Sequence, residues 1–503
     1  MAFSTITHIE HQLYRQQWEL NKDASRDLVK QQKTKYLPMN NLPDSALTTP
    51  ENVQMNEFIK HKYNTQIWPM SVFYNFTRPT IGAWVGLIMA KKPTISFTDV
   101  EDGETKLDYL LKNADGGGNG IVTLAKLALE ATIETGGGCF YLSPPSGGMT
   151  EQSIRDGSSA PFIKYYDRNN ILNWETKFVG GRKQLTYIKL REWEFYSKED
   201  SSERIEKHIE FFLIDGAVTY KVTRDKGYED AGYPALEEGA FVVNSKQVNS
   251  IPVFWFGAND NDESVDPAPI TPIAALNVLH YVMFTRDMHQ RYDAGQAQYH
   301  IDHGTQQQVQ IADENGKLVS IVEFMNPGGI KIGSSAAIHT INGGKAEILQ
   351  AKTDSLLATA PTEIEERAQK IGAQMLVESS ITTATEANLS YGASTSNLVT
   401  IADNVGMALK AVIELVADWV GYTAKDKIQF ELNKKLVTVS MSPQEIQTLW
   451  QAVLQGVHPM RAYFWQMQQA GKVPTEWTFE TFMAEIEEDQ GRMALAGVGT
   501  PQM

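Results

Sequence analysis

The residues that could do chemistry are few, and none stands at a spacing that chemistry requires. A phosphate-binding loop needs Gly-Lys followed by Ser or Thr, so that a hydroxyl reaches magnesium. Here Gly316-Lys317 is followed by Leu318, Gly344-Lys345 by Ala346 and Gly471-Lys472 by Val473. The run Asp115 to Gly120 is glycine-rich, but it lacks the last glycine of a dinucleotide fingerprint and follows no strand, so it reads as a loop. His300 and His303 flank Asp302, with His289 upstream. In a strand, positions i and i+3 face opposite sides, so these histidines read as surface or turn residues rather than metal ligands. Asp260-Asn261-Asp262-Glu263 resembles the start of a calcium loop. However, Val265 stands where that loop needs glycine and Thr271 where it needs a bidentate glutamate, so it reads as a solvated acidic linker. There is no G-x-S-x-G elbow, and the lone Cys139 follows three glycines with no nucleophile signature around it, as a small buried residue would. Glu365-Glu366 adjoin Arg367 and Lys370 on a predicted helix, where surface ion pairing is expected. The set predicts no catalytic centre, no metal and no cofactor.

The elements that would have to position any site come next. The chain has 503 residues, with 42% hydrophobic and 21% charged, a globular composition. Its length predicts three or so domain-sized units. The net charge of −16 excludes a general nucleic-acid binder, which shows phosphates a basic surface, but not a protein that lets DNA slide past. One cysteine and no basic-then-apolar leader predict a reducing, intracellular setting. The longest apolar run, Ile81 to Ala90, is about half of the ~20 residues a membrane helix needs.

Residues 1–92 read as helical, broken at Tyr36-Leu37-Pro38, and a further helix over Ile121 to Ile133 ends at Gly136. From Cys139 to Phe256 the period is two, predicting an antiparallel sheet with a tight turn at Asp215-Gly216. Thr271 and Pro272 open a helix that is apolar on nearly every side from Ile273 to Phe284, predicted to be buried in a core or between subunits. Residues 295–352 return to short strands, with Asn315-Gly316 as a second turn. A helix carries Ile364, Ala368 and Ile371, and a longer one runs from Leu398 to Trp419 with the cleanest amphipathic pattern in the chain. Between them, Glu378 to Asn397 is small, polar and almost uncharged, predicting a mobile loop. Pro443 to Asp489 reads as helical.

In this order, the segments resemble portal proteins of tailed double-stranded DNA bacteriophages. The resemblance lies in Tyr36-Leu37-Pro38 and in Phe73 to Arg78 with Gly82 and Gly86 before Lys92-Pro93. It continues through Asn173-Trp174, Ile251-Pro252, Asn277 to Tyr281 and the loop-plus-helix from Glu378 to Trp419. It spans roughly residues 30–490, and the order carries it rather than any single motif.

The resemblance implies an α+β portal architecture assembling as a ring around a channel. It assigns a wing to 1–265, stem helices to 266–293 and 353–377, and a clip to 294–352. A tunnel loop would occupy 378–397, a long wing helix and strand 398–441, and a crown with its tail 442–503. Glu378, Ser380, Thr382, Thr383, Thr385, Glu386 and Ser394 would face DNA in the channel. Such short neutral side chains make weak, sequence-blind contacts, whereas each neutralised phosphate would add affinity that stalls translocation. Arg367 and Lys370 would be the stem's channel cations, and Gln308, Asn315 and Lys317 candidates for docking terminase or adaptor.

The resemblance further implies a non-enzymatic dodecamer with no cofactor, placed at the portal vertex of the virion and assembled in the host cytoplasm, with no membrane contact. Its partners would be the terminase large subunit, a head-to-tail adaptor or neck protein, the major capsid and scaffolding proteins, and the double-stranded DNA passing through during packaging and ejection. Two other readings remain: another ring-forming connector or minor capsid protein and, remotely, a cytoplasmic hydrolase with a divergent site.

Overall fold

Three helices open the chain, as the periodicity predicts: α1 (Ile9–Ser25), α2 (Pro50–Lys62) and α3 (Thr77–Ile88). The computed structural model describes residues 6–39, 43–98, 105–145, 150–155, 159–198, 201–224, 235–295, 298–302, 310–312, 316–320, 337–340, 345–349, 355–373, 384–434, 443–469, 472–474 and 477–495. They fall into two compact units, Met1–Leu432 and Asn433–Met503, rather than the three or so suggested by length.

After a short strand β1 (Thr94–Ser96), helix α4 (Ile121–Thr135) feeds β2 (Gly137–Ser143) through Gly136. Gly136 has φ +83°, and a Cβ there would lie 2.0 Å from the Asp266 carbonyl oxygen, so only glycine permits both the turn and the approach. On one side β2 pairs antiparallel with β3 (Phe162–Asp167). The chain then runs up and down through β4 (Ile171–Val179), β5 (Arg182–Lys198), β6 (Ser201–Ile214), β7 (Ala217–Arg224) and β8 (Leu236–Ala240), a five-stranded antiparallel meander. The β6–β7 turn has Asp215 at φ 48° and Gly216 at φ 79°, the paired positive values that this dipeptide predicts. Finally, β9 (Val253–Gly257) returns to the free edge of β2 and sets Trp255 opposite Cys139. Cys139 is fully buried, and burial pushes its thiol pKa up, so it is an inert core residue.

The meander is stitched on one face by ion pairs. Lys164 and Lys207 reach Glu192 at 2.8 and 2.9 Å, Lys207 reaches Glu194 at 2.7 Å, and Arg224 Nε reaches Glu194 at 2.9 Å. Tyr166 donates its hydroxyl to Glu192 as well. Burial alone would raise the Glu192 pKa, but the two lysine charges and these hydrogen bonds outweigh it and hold the carboxyl at about 2.

The remainder of the first unit departs from the core and comes back. Helix α5 (Thr271–Gly295) leads to short strands β10 (Gln298–Asp302), β11 (Gln310–Ala312), β12 (Leu318–Ser320), β13 (Ala337–Thr340) and β14 (Ala346–Leu349). Here β10 is central, parallel to β13 and antiparallel to β14, while β11 and β12 form a separate hairpin. Helix α6 (Ser355–Ala373) then packs back along α5, and α7 (Ala384–Trp419) re-enters the core against β2, β9, α3 and α4. The last strand, β15 (Gln429–Glu431), pairs with β1. The second unit consists of α8 (Pro443–Leu454), α9 (Met460–Gln469) and α10 (Phe479–Leu495).

One expectation is corrected and one is narrowed. The loop expected over 378–397 is helical from Ala384 onward. Ala384, Glu386, Ala387, Leu389 and Ala393 are good helix formers and no proline intervenes, so a small and weakly charged segment had no reason to stay open. Within its own chain the Ile273–Phe284 segment buries one face, which leaves burial between subunits as the expectation still standing. Ile273, Ala274, Asn277, His280 and Tyr281 are buried, whereas Pro272, Ala275 and Leu279 are exposed.

Candidate functional site

The α5–α6 pair and the strands between them form the part of the fold where the predicted channel and docking residues lie. Ile364 and Ala368 are buried and give α6 its apolar seam, at the four-residue spacing that places both on one helical face. A polar tie crosses between the helices: His280 Nε2 lies 2.9 Å from Glu365 Oε1. His280 is 1% exposed, stacked on Phe284 at 5.6 Å with Phe76 edge-on at 5.9 Å, and its other ring nitrogen is buried without a partner. Glu365 therefore reaches α5, so the surface ion pairing expected of Glu365-Glu366 beside Arg367 and Lys370 does not describe Glu365. Residues two apart on a helix do not face each other, and His280 offers a desolvated partner. Arg367 and Lys370 themselves lie on the exposed face of α6.

The N-terminal half of α5, its base, is held by side chains whose partners the sequence does not give. Asn277 is fully buried, and its Oδ1 accepts from Phe76 N, Thr77 N and Thr77 Oγ1 at 3.2, 3.2 and 2.8 Å. Its Nδ2 donates to the Tyr74 carbonyl at 2.8 Å. One amide thus closes the N-terminus of α3, whose first N–H groups would otherwise be buried unsatisfied. Tyr281 adds a 2.9 Å bond to Ser71 and an edge contact with Phe73. Asn75 Nδ2 donates to the Ala24 carbonyl of α1, and Asn21 Nδ2 donates to Thr271 Oγ1 at the start of α5 and to the Glu134 carbonyl of α4. The two stretches Phe73–Arg78 and Asn277–Tyr281, some 200 positions apart, therefore meet as one polar knot joining α1, α3, α4 and α5.

A second anchor lies at the approach to α5. Arg168 is 1% exposed; its guanidinium donates to the carbonyls of Asp262, Glu263 and Ser264 and stacks over Trp255 at 4.7 Å. Asp266 accepts from Asn259 N and Nδ2, and Asn261 Nδ2 donates to the Asn404 carbonyl of α7. The acidic segment expected to be a solvated linker is thus a built strap between β9 and α5. Its organising residue lies about a hundred positions upstream, where local composition gives no hint of it.

The other candidates resolve simply. In the Asp115–Gly120 loop, the amides of Gly117 and Asn119 already donate to Asp115 at 2.8 and 2.9 Å, so the loop carries its own anion in place of a phosphate. His300 pairs with Glu347 at 3.0 Å across β10 and β14, and no metal-competent cluster occurs among the described residues. Of the predicted docking residues, Lys317 is exposed beside the β11–β12 turn, while Gln308 and Asn315 lie outside the described residues. Thr385, Glu386 and Ser394 sit on the first turns of α7, and Glu378, Ser380, Thr382 and Thr383 lie outside the described residues. No described helix is long and apolar enough to cross a membrane.

The model of a domain of unknown function, DUF4055, matches residues 269–420, which is the excursion from the start of α5 to the end of α7. No curated protein matches the chain. Among solved structures, the chain is similar to a chain in the neck of an empty GTA particle computed with C6 symmetry, at 11% identity and TM-score 0.34, covering 79% of this chain and 90% of that one. It is also similar to a chain in the neck of a native GTA particle computed with C12 symmetry, at 12% identity and TM-score 0.36, covering 79% and 89%. A third likeness, in the virion of a native gene transfer agent particle, has 12% identity and TM-score 0.34, covering 79% and 89%. These are distant likenesses, with TM-scores below 0.5.

Proposed function

We propose that the chain is a portal subunit: one member of a closed ring at the unique vertex of a tailed-phage or phage-like capsid, through which double-stranded DNA is packaged and ejected. The observation that carries this reading is the excursion itself. The chain leaves a wing-like core through α5, builds a small β module, returns along α6 and re-enters the core as α7. In the resemblance these parts are stem, clip, stem and wing helix, and they occur here in that order. The polar knot and the Arg168 strap fix the base of α5 to the core, which suits a rigid stem.

In this reading the subunit performs no chemistry. ATP hydrolysis belongs to a terminase docked on the clip, near Lys317, Gln308 and Asn315, and a neck adaptor later takes that position. Segment 378–383 and the first turns of α7 face the bore. Its residues slide past phosphate without holding it, because Thr382, Thr383 and Thr385 have no charge to exchange for counterions. Twelve copies are the number the resemblance implies, and head-to-tail contacts of one kind close such a ring.

The test is a packaging reaction with rings carrying Thr382→Lys, Thr383→Lys and Thr385→Lys together. Packaging slows or stops while ring assembly is unchanged. Packaging at the normal rate by that variant would remove the segment from the bore.

A further inference from the structure

The β5–β6 hairpin outruns the sheet it belongs to. Pairing with β4 ends at Leu190 and pairing with β7 ends at Lys207, whereas β5 and β6 stay paired with each other out to Lys198 and Ser201. A two-stranded ribbon on its own is marginal in water. This one is braced from its inner face, where Glu192 and Glu194 pair with Lys164, Lys207 and Arg224 and where Ile205 is 1% exposed. It is a stiff arm.

The other face of the arm carries Trp193 and Phe195, at alternate positions of β5 and 38% and 69% exposed. Arg204 stands opposite Phe195 in the register, with its guanidinium 3.6 Å from the centre of the Trp193 ring. It is exposed and forms no ion pair among the described residues. Along β6 the same face continues to Phe212 and Ile214, because the pairing with β5 and β7 runs without a shift. There Tyr187 and Phe212 pack at 5.1 Å and Ile214 is 57% exposed. Asp215 in the adjoining turn is exposed and also forms no ion pair among the described residues. One face of one sheet thus ends in an aromatic patch beside Arg204 and, at its other end, in an apolar patch beside Asp215. Arg204 and Ile214 are ten positions apart on one strand, roughly 33 Å at about 3.3 Å per residue, so the two ends do not meet within a chain.

We propose that the ribbon end of one subunit docks on the turn end of a second copy of the chain, with Trp193 and Phe195 against Tyr187, Phe212 and Ile214 and with Arg204 paired to Asp215. Two unlike, complementary patches on one chain are what a head-to-tail contact needs, whereas a two-fold contact uses one patch twice. The charges select this pairing, because each end repels its own kind and matches the other. The joint rests on the ring reading only for closure: by itself it makes head-to-tail chains, and the ring reading adds that they close.

Mass photometry of the full chain over a dilution series tests the joint with two variants. Phe195→Ser with Arg204→Glu spoils the ribbon end, and Ile214→Ser with Asp215→Asn spoils the turn end, where asparagine keeps the positive φ of position 215. All four side chains are exposed, so both variants keep the melting profile of the parent, which circular dichroism checks. Phe195→Ser or Ile214→Ser alone replaces a pair that does not fold. Each variant is expected to need about tenfold or more higher concentration to associate, as for loss of an interface anchor. Mixed one to one, the two are expected to form a heterodimer, because each keeps the end the other lacks. Association of either variant at the parent's concentration, or a mixture no more associated than its parts, overturns the joint. A closed ring from parent and variants alike would overturn the joint and leave the ring reading standing. Open chains of the parent that both variants abolish would keep the joint and remove the ring.

Discussion

Helices α5 and α7 both carry long apolar runs and sit in different surroundings. From Leu398 to Trp419, α7 buries a broad apolar face in its own chain, with Ile401, Val405, Leu409, Val412, Ile413 and Val416 at 1% exposure or less, although Met407 on its other side is exposed. By contrast, α5 buries a face rich in polar groups, Asn277, His280 and Thr285, and leaves Leu279 and Met288 42% and 37% exposed. One helix is the axis of the fold and the other is a strut fixed by hydrogen bonds with an uncovered outer row. The amphipathic pattern of α7 already separates it from α5, but hydrophobicity reports what wants to be covered and not what covers it.

The contrast breaks most sharply by truncation. Leu409→Ala is expected to destabilise the subunit by about 2–5 kcal/mol, the range for an enclosed leucine whose cavity cannot collapse. Denaturant unfolding measures this, and a loss within about 0.5 kcal/mol, as for an ordinary surface site, would contradict the enclosure of α7. On α5, Asn277→Leu leaves the Phe76 and Thr77 donors without their acceptor and is expected to cost about 3 kcal/mol, at 1–3 kcal/mol for each unsatisfied group. A cost near zero in the same unfolding experiment would mean that α3 is closed by something else.

The meander supplies a pH-dependent contrast with both helices. The folded pKa of Glu192 is held at about 2 against an ordinary 4.5. Its contribution is therefore complete above about pH 4.5 and is lost as pH falls toward 2. The full loss is about 3 kcal/mol, from 1.36 kcal/mol per unit. A Glu192→Gln variant should flatten that part of the stability profile, and an unchanged acid limb would place the sensitivity elsewhere.

The smallest effects sharpen the comparison. Gly406 lies inside α7, and an added Cβ would meet Leu432 N at 3.9 Å and Phe430 O at 4.0 Å, an ordinary contact. Gly406→Ala is expected to raise stability by about 0.5–1 kcal/mol through helix propensity. Leu279→Ser on the outer row of α5 should change the subunit's own unfolding by less than about 0.5 kcal/mol, while weakening assembly if copies cover that row.

How much of this was legible in the sequence depends on how local the cause is. The Asp215-Gly216 turn, the Gly136 stop and the register of α7 beyond Leu398 follow from one or two residues or one period, and all three occur in the structure. The Arg168 strap and the Asn277 knot join positions about 100 and 200 apart; nothing near Arg168 marks the strap, and Phe73 to Arg78 and Asn277 to Tyr281 stood out only as separate stretches, not as partners. The loop expected over 378–397 failed for a different reason: small polar residues permit a helix as readily as a loop when alanine and leucine recur among them. Among the candidate site residues, Arg367, Lys370 and Lys317 are exposed, which is compatible with the channel and docking roles proposed for them and does not decide between those roles and an ordinary surface.

The central claim is that this subunit closes into a ring with a channel. Native mass spectrometry of the purified full chain tests it most directly: a single closed species is expected, closed by head-to-tail contacts, of about twelve copies if the number implied by the resemblance holds. A stable monomer at the same concentration, with hydrolase turnover, would contradict it.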